Sequence, residues 1–157
     1  MENKLAIVSG YAIVQRSIDG RFLIVERQLC GRKAFDLPGG TRKTGEKMVQ
    51  TITRVMAEDL AMHFEPHHFI GWNYHIFDDT DGERVCNVRV TFSGIVNDLN
   101  VFCSDTLSTT NITARWMNLS ELKADGVQLH ATDALHRLRE YSEGGRQSLD
   151  MCGEIRE

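Results

Sequence analysis

LPGGTRKTGEKMVQTITRVMAEDLAM, residues 37–62, is the stretch whose reading decides the fold. It opens on Leu37-Pro38-Gly39-Gly40, where glycines after a proline let the backbone turn sharply and approach a ligand without a Cβ in the way. From Gly45 to Met62 the apolar residues recur with a helical period: Met48, Ile52, Val55 and Met56 fall at i, i+4, i+7 and i+8, and Val49 and Leu60 widen the stripe. The helix sets Arg54 and Glu58 four residues apart on one face, where the arginine orients the carboxylate. Arg42, Lys43 and Lys47 gather around the loop and the helix start, a cluster suited to an anionic substrate and equally consistent with a solvated face.

Outward from this core, residues 4–15 and 22–26 read as strands, and Asp19-Gly20 between them predicts a hairpin turn. Residues 68–77 and 84–96 read as two more strands, joined through Asp78-Asp79-Thr80-Asp81-Gly82. A short strand at Ala114–Met117 precedes Ser120, which is placed to cap a brief helix, and residues 131–142 form a last amphipathic helix. The order ββ–helix–ββ–β–helix predicts an α/β protein with a mixed β-sheet sandwiched between α-helices. One domain is expected over residues 1–143, with 144–157 a poorly ordered tail.

The segment from Gly40 to Met62 resembles the Nudix box, G-x5-E-x7-R-E-U-x-E-E-x-G-U, where U is a bulky aliphatic residue. Gly40, Glu46, Arg54, Met56, Glu58, Asp59 and Met62 match it in order. Phe35-Asp36-Leu37-Pro38-Gly39-Gly40 is similar to the W-x-L-P-G-G entry of that family, and Arg115-Trp116 with Glu121-Leu122 resembles its closing R-W…E-L stretch. The resemblance implies the Nudix fold and a hydrolase of nucleoside diphosphates linked to another moiety, dependent on Mg²⁺ or Mn²⁺. It implies Glu58, Arg54 and Glu46 as catalytic residues, and Arg27, Gly39, Arg42 and Lys43 as substrate-binding residues. Hard oxygen donors suit Mg²⁺, and Glu58, Asp59 and a backbone carbonyl at Gly40 are the expected metal ligands.

The box is altered at three positions. Val55 stands where the family has a glutamate, Asp59 is one methylene shorter than the usual residue, and Ala61 replaces the late glycine, a change read as looser helix packing. The stretch Thr109–Ala114 holds no carboxylate to serve as an extra ligand or base; Asp105 and the 78–83 turn are the substitutes considered. Val55 favours a rival expectation, a nucleotide-binding module without catalysis. A third expectation is glycosyl hydrolysis, since the GDP-mannose mannosyl hydrolases resemble this chain in an aliphatic residue at that position and in a turn similar to Ile76-Phe77-Asp78-Asp79. Their loop histidine has no counterpart here; His75 and His130 are the remote candidates.

The remaining signals point to structure. A net charge of −4 argues against a duplex nucleic acid partner. The four cysteines form no C-x-x-C pair and read as reduced thiols of a cytoplasmic protein. No apolar run approaches the roughly 18 residues of a membrane span, and the start lacks a signal-peptide layout. Asp79-x-Asp81-Gly82 reads as a hairpin turn rather than a calcium loop, His63, His67 and His68 as surface or capping residues, and Trp72 and Trp116 as packing residues. A small nucleotide or nucleotide-sugar is the expected ligand, and a homodimer a possible assembly.

Overall fold

The computed structural model describes residues 5–29, 32–97, 106–108, 112–124, 133–145 and 147–148. The strands are β1 (Leu5–Val14), β2 (Phe22–Leu29), β3 (Arg32–Asp36), β4 (Gly39–Thr41), β5 (Phe64–Asp78), β6 (Arg84–Val96), β7 (Thr106–Ser108), β8 (Thr113–Met117) and β9 (Gln147–Ser148). The helices are α1 (Met48–Leu60), α2 (Leu119–Leu122) and α3 (Asp133–Ser142). They build a mixed sheet, ordered β4-β1-β6-β5-β9, and an antiparallel one, ordered β3-β2-β8-β7. β1 runs parallel to β6, from Leu5 opposite Val85 to Val14 opposite Gly94.

β1 is apolar in both phases because it is buried on both faces. Ala12 and Val14 join Phe92, Ile52, Met56, Leu23 and Trp116 in one core cluster, while Tyr11 and Ile13 join Phe22, Ile24, Leu37 and Leu138 in another. Helix α1 therefore closes one side of the mixed sheet and α3 the other. Full burial of Ile52 and Met56 stabilises the α1 contact by about 1.5–3 kcal/mol each.

Several expectations are corrected. β1 and β2 do not pair as a hairpin: one isolated bridge, Gln15 to Phe22, links them. The Asp19-Gly20 turn forms, with Gly20 at φ +71°, but it carries the chain from one sheet to the other. Strand β3 precedes the Gly-Gly turn, and β5 begins at Phe64, four residues early. The cap of α2 is Asn118, whose side chain accepts from the Glu121 amide at 2.8 Å, so Ser120 lies inside the helix. Gln147 and Ser148 pair with Phe69 and His68; the stretch beyond them lies outside the described residues. The 78–83 segment is a hairpin turn, in which Asp79 Oδ1 accepts from the Asp81 and Glu83 amides.

The altered end of the box has a conformational reason. Ala61 has φ +54° and is the non-glycine residue with positive φ among those described. Its amide donates to the Ala57 carbonyl and that of Met62 to the Met56 carbonyl, closing α1 in the left-handed manner that glycine favours. The substitution thus installs strain at the helix end rather than looser packing.

Candidate active site

The strand β4 lies antiparallel to β1 with Gly39 opposite Tyr11 and Gly40 opposite Gly10. This approach needs glycine: a Cβ on Gly39 would stand 2.3 Å from Tyr11 Cδ1 and 2.5 Å from the Gly10 carbonyl oxygen. Arg27 Nη2 donates to the Gly39 carbonyl at 2.9 Å, which brings that sequence-predicted residue to the turn.

One guanidinium ties the turn to α1. Arg54 Nε donates to Glu46 Oε1 at 2.6 Å, Nη2 to Glu46 Oε2 at 3.1 Å and to the Thr41 carbonyl at 2.9 Å, and Nη1 to Glu58 Oε2 at 3.0 Å. Glu46 also accepts from the Lys43 amide and the Thr51 hydroxyl. Arg54 beside it, then the Lys43 amide, hold the Glu46 carboxyl down at about 2. Its lone pairs are committed to the loop, so Glu46 positions its neighbours and does not exchange protons near neutrality.

Lys43 Nζ lies 3.5 Å from Glu58 Oε1, and Arg42 Nε donates to the Glu46 carbonyl. Arg42, Lys43, Glu46, Arg54 and Glu58 thus meet at one place. Asp59 follows Glu58 by about 100° of helix turn and lines a crevice with Pro38, Gly39, Val55 and Ile112. Val55 is 4% exposed, and a Cβ on Gly40 would come within 3.0 Å of its Cγ2. The aliphatic residue packs on the glycine turn, in the core role that its place in the helical stripe allows. Asp105 and His130 lie outside the described residues.

As a metal site the donors are hard oxygens but few. Among the described residues no three His, Cys, Asp or Glu side chains converge to hold an ion. The set does not fit a cluster of resident metals. It fits an Mg²⁺ that keeps most of its water and is shared with substrate phosphates, which one or two carboxylates suffice to hold.

A second polar group was missed by the sequence reading. Asp36 and Arg89 are buried side by side, Arg89 Nη2 donating to Asp36 Oδ1 at 2.6 Å with both side chains 0% exposed. The Arg89 guanidinium lies 3.6 Å from the centre of the Tyr11 ring, directly behind Gly39. Burial raises the Tyr11 pKa, and Arg89 opposes the shift. Along β6, Asn87 and Thr91 flank Arg89 on the same face, and Asn73 of β5 stands opposite it. Asn73 Oδ1, Asn87 Oδ1 and Thr91 Oγ1 are buried without a hydrogen-bond partner. The alternation Asn87-Val88-Arg89-Val90-Thr91 was the available signal; its polar phase reads as solvent-facing until both sides of the sheet are known to be covered. Trp116 packs in the core as expected, whereas Trp72 is exposed.

The arrangement of a Gly-Gly turn, a clamped glutamate and an acidic helix face on a two-sheet α/β scaffold defines a protein of the Nudix fold. No family model matches the chain. Phosphatase NudJ of Escherichia coli K12 is 25% identical over 138 residues, covering 87% of this chain and 85% of the relative. A NUDIX hydrolase from Nitrosomonas europaea superposes with a TM-score of 0.75 at 25% identity, covering 93% of this chain and 95% of the other. The MutT protein of Methanosarcina mazei Go1 superposes at 0.66 with 22% identity, covering 90% and 97%. In sequence and in fold the chain is similar to members of the Nudix hydrolase superfamily. Among the described residues no helix is long and apolar enough to cross a membrane.

Proposed function

We propose that this protein hydrolyses the anhydride of a nucleoside diphosphate linked to another moiety, a nucleotide or nucleotide-sugar. Water adds at one phosphorus, the bond to the bridging oxygen breaks, and two phosphorylated products leave. The observation that carries this reading is the Arg54 clamp, which joins Glu46, Glu58 and the Thr41 carbonyl beside the Gly-Gly turn. Arg42 and Lys43 then attract the phosphates, Arg27 steadies the Gly39 carbonyl, and Arg54 fixes the direction of Glu58. Glu58, Asp59 and the Gly40 carbonyl would hold Mg²⁺ or Mn²⁺, which would supply neutralisation of phosphate charge and a more acidic water. The unpartnered acceptors on β5 and β6 support a ligand rich in N–H or O–H groups on that side of the turn. The unpaired Cys86 thiol agrees with a cytoplasmic setting.

The test is phosphate release from a panel of nucleoside triphosphates, dinucleotides and nucleotide-sugars, with Mg²⁺ or Mn²⁺ and an added phosphatase. Turnover that Glu58→Gln abolishes supports the hydrolase. The burial of Val55 against Gly40 favours a second reading, a nucleotide-binding module. In that case the panel stays silent while nucleotide alone, without metal, raises the melting temperature.

A further inference from the structure

On the α3 side of the mixed sheet, three rows cross from β1 to β5. Tyr11, Ser9 and Ile7 of β1 stand in register with Thr91, Arg89 and Asn87 of β6, and beyond these stand Gly71, Asn73 and His75 of β5. An irregularity of β5 between Phe69 and Gly71 turns Ile70 onto Leu138 of α3. The helix then lays Arg137 on the bare backbone of Gly71, where a Cβ would stand 2.3 Å from its Nη1. Arg137 Nη2 donates to the Trp72 carbonyl at 2.6 Å, and Nη1 pairs with Glu140.

Polar atoms left without partners gather in these rows. Asn73 Oδ1, Asn87 Oδ1 and Thr91 Oγ1 are acceptors and Arg137 Nε is a donor, and all four are buried without a hydrogen-bond partner among the described residues. Asn87, Thr91 and Arg137 are 6%, 1% and 7% exposed. Native chains leave few such groups, because each forgoes its bond to water. Arg89, in the middle row, leans away from β5, its guanidinium over the Tyr11 ring of β1. The Tyr11 hydroxyl meets Asn87 and the Tyr11 ring lies against Gly39, so the cluster adjoins the Gly-Gly turn.

We propose, on the reading that the phosphates of a linked nucleoside diphosphate lie at the Gly-Gly turn, that this cluster holds the second moiety of the substrate and that this moiety is a sugar ring. Diagonal neighbours on paired strands lie roughly 7 Å apart, so Asn73, Asn87 and Thr91 surround a point rather than face one edge. The donors of a nucleobase edge lie side by side, whereas the hydroxyls of a sugar point outward around its ring. A hydroxyl also both donates and accepts, so one ring serves the three acceptors and the Arg137 donor together. The four atoms are closed to water, so the ring enters when α3 lifts from β5. The Arg137 bond to the Trp72 carbonyl is the polar tie that holds α3 down.

Calorimetric titration of the full chain with UDP-glucose, GDP-mannose and ADP-ribose tests this, each against its parent diphosphate and with EDTA present to prevent turnover. At least one sugar should tighten binding about tenfold or more over the diphosphate. In Thr91→Val and in Asn73→Leu that gain should fall to about twofold or less. Thr91→Val keeps the side-chain shape and removes an unpaired polar group, so its melting temperature should not drop. No gain from any sugar, or a gain that both variants keep, overturns the proposal and leaves ordered water as the occupant. The hydrolase is judged separately, by turnover of the same compounds with Mg²⁺. Turnover without a sugar gain sinks this site alone, a sugar gain without turnover sinks the hydrolase alone, and a chain that shows neither loses both.

Discussion

Glu46–Arg54 and Asp36–Arg89 are the same chemistry in two settings. The first pair lies at the rim of the Gly-Gly turn, each side chain about a fifth exposed, and its arginine serves four acceptors. The second is shut beneath the same turn with no exposure, its arginine donating to the Asp36 carboxylate and lying over a tyrosine ring. Water screens the rim pair, so its contribution to global stability is small and its value lies in where it holds Glu58 and the loop. Desolvation dominates the inner pair, whose intact state is close to neutral for stability but whose half-removal strands a charge. Two ion pairs at one turn thus divide the work: one sets geometry for chemistry, the other sets the price of disturbing the strand beneath it.

Breaking the inner pair should have the largest effect. Asp36→Ala is expected to destabilise the fold by about 3–5 kcal/mol, while Asp36→Leu with Arg89→Met recovers most of the loss. Urea melts of both variants measure this, and equal, additive losses would refute the desolvation account. Next comes Arg54→Gln. It should cost about 1 kcal/mol or less in stability, yet turnover in the nucleotide panel should drop about 100-fold, as displacement of a catalytic group does. A global unfolding there would erase the contrast between the pairs.

Acid should separate them more gently. Glu46 titrates at about 2 in the fold against an ordinary 4.5, so its contribution is complete above 4.5 and fades as pH falls through 2. The stability gap between wild type and Glu46→Gln is therefore constant from neutrality to about 4.5, then narrows with further acid; a gap unchanged down to pH 2.5 would contradict the clamp. The smallest effect is a control that touches neither pair. Ala61→Gly relieves the left-handed strain, less the entropy glycine costs, and should add about 0.5–1 kcal/mol, leaving that acid-induced narrowing intact.

Much of this was legible in the sequence because the relevant rules are local. The stripe through Ile52, Val55 and Met56 fixes α1 against the sheet, and Glu46, Arg54 and Glu58 come together because helix periodicity and one short loop join them. The β5–β6 hairpin follows from its turn residues. What stayed hidden is what depends on partners distant in sequence. Asp19-Gly20 announces a reversal of the chain but not which strand lies alongside, and β4 and β6 take the two edges of β1 that a hairpin would have used. Arg89 likewise looks solvent-facing until Asp36, 53 residues away, is found against it. Ala61 was misread because a missing glycine suggests packing as readily as a backbone angle.

The parallel pairing of β1 with β6 also sets an order of assembly. Leu5 meets Val85 across 80 residues of chain, whereas β5 and β6 close through a five-residue turn. Loop-closure entropy favours the hairpin first. During synthesis β1 must wait for β6 to emerge, roughly 4–16 seconds at ordinary ribosomal rates. Throughout that interval a strand destined to be buried on both faces stands ready to pair with whatever edge it meets, and helix α1, made in the meantime, is its nearest shelter.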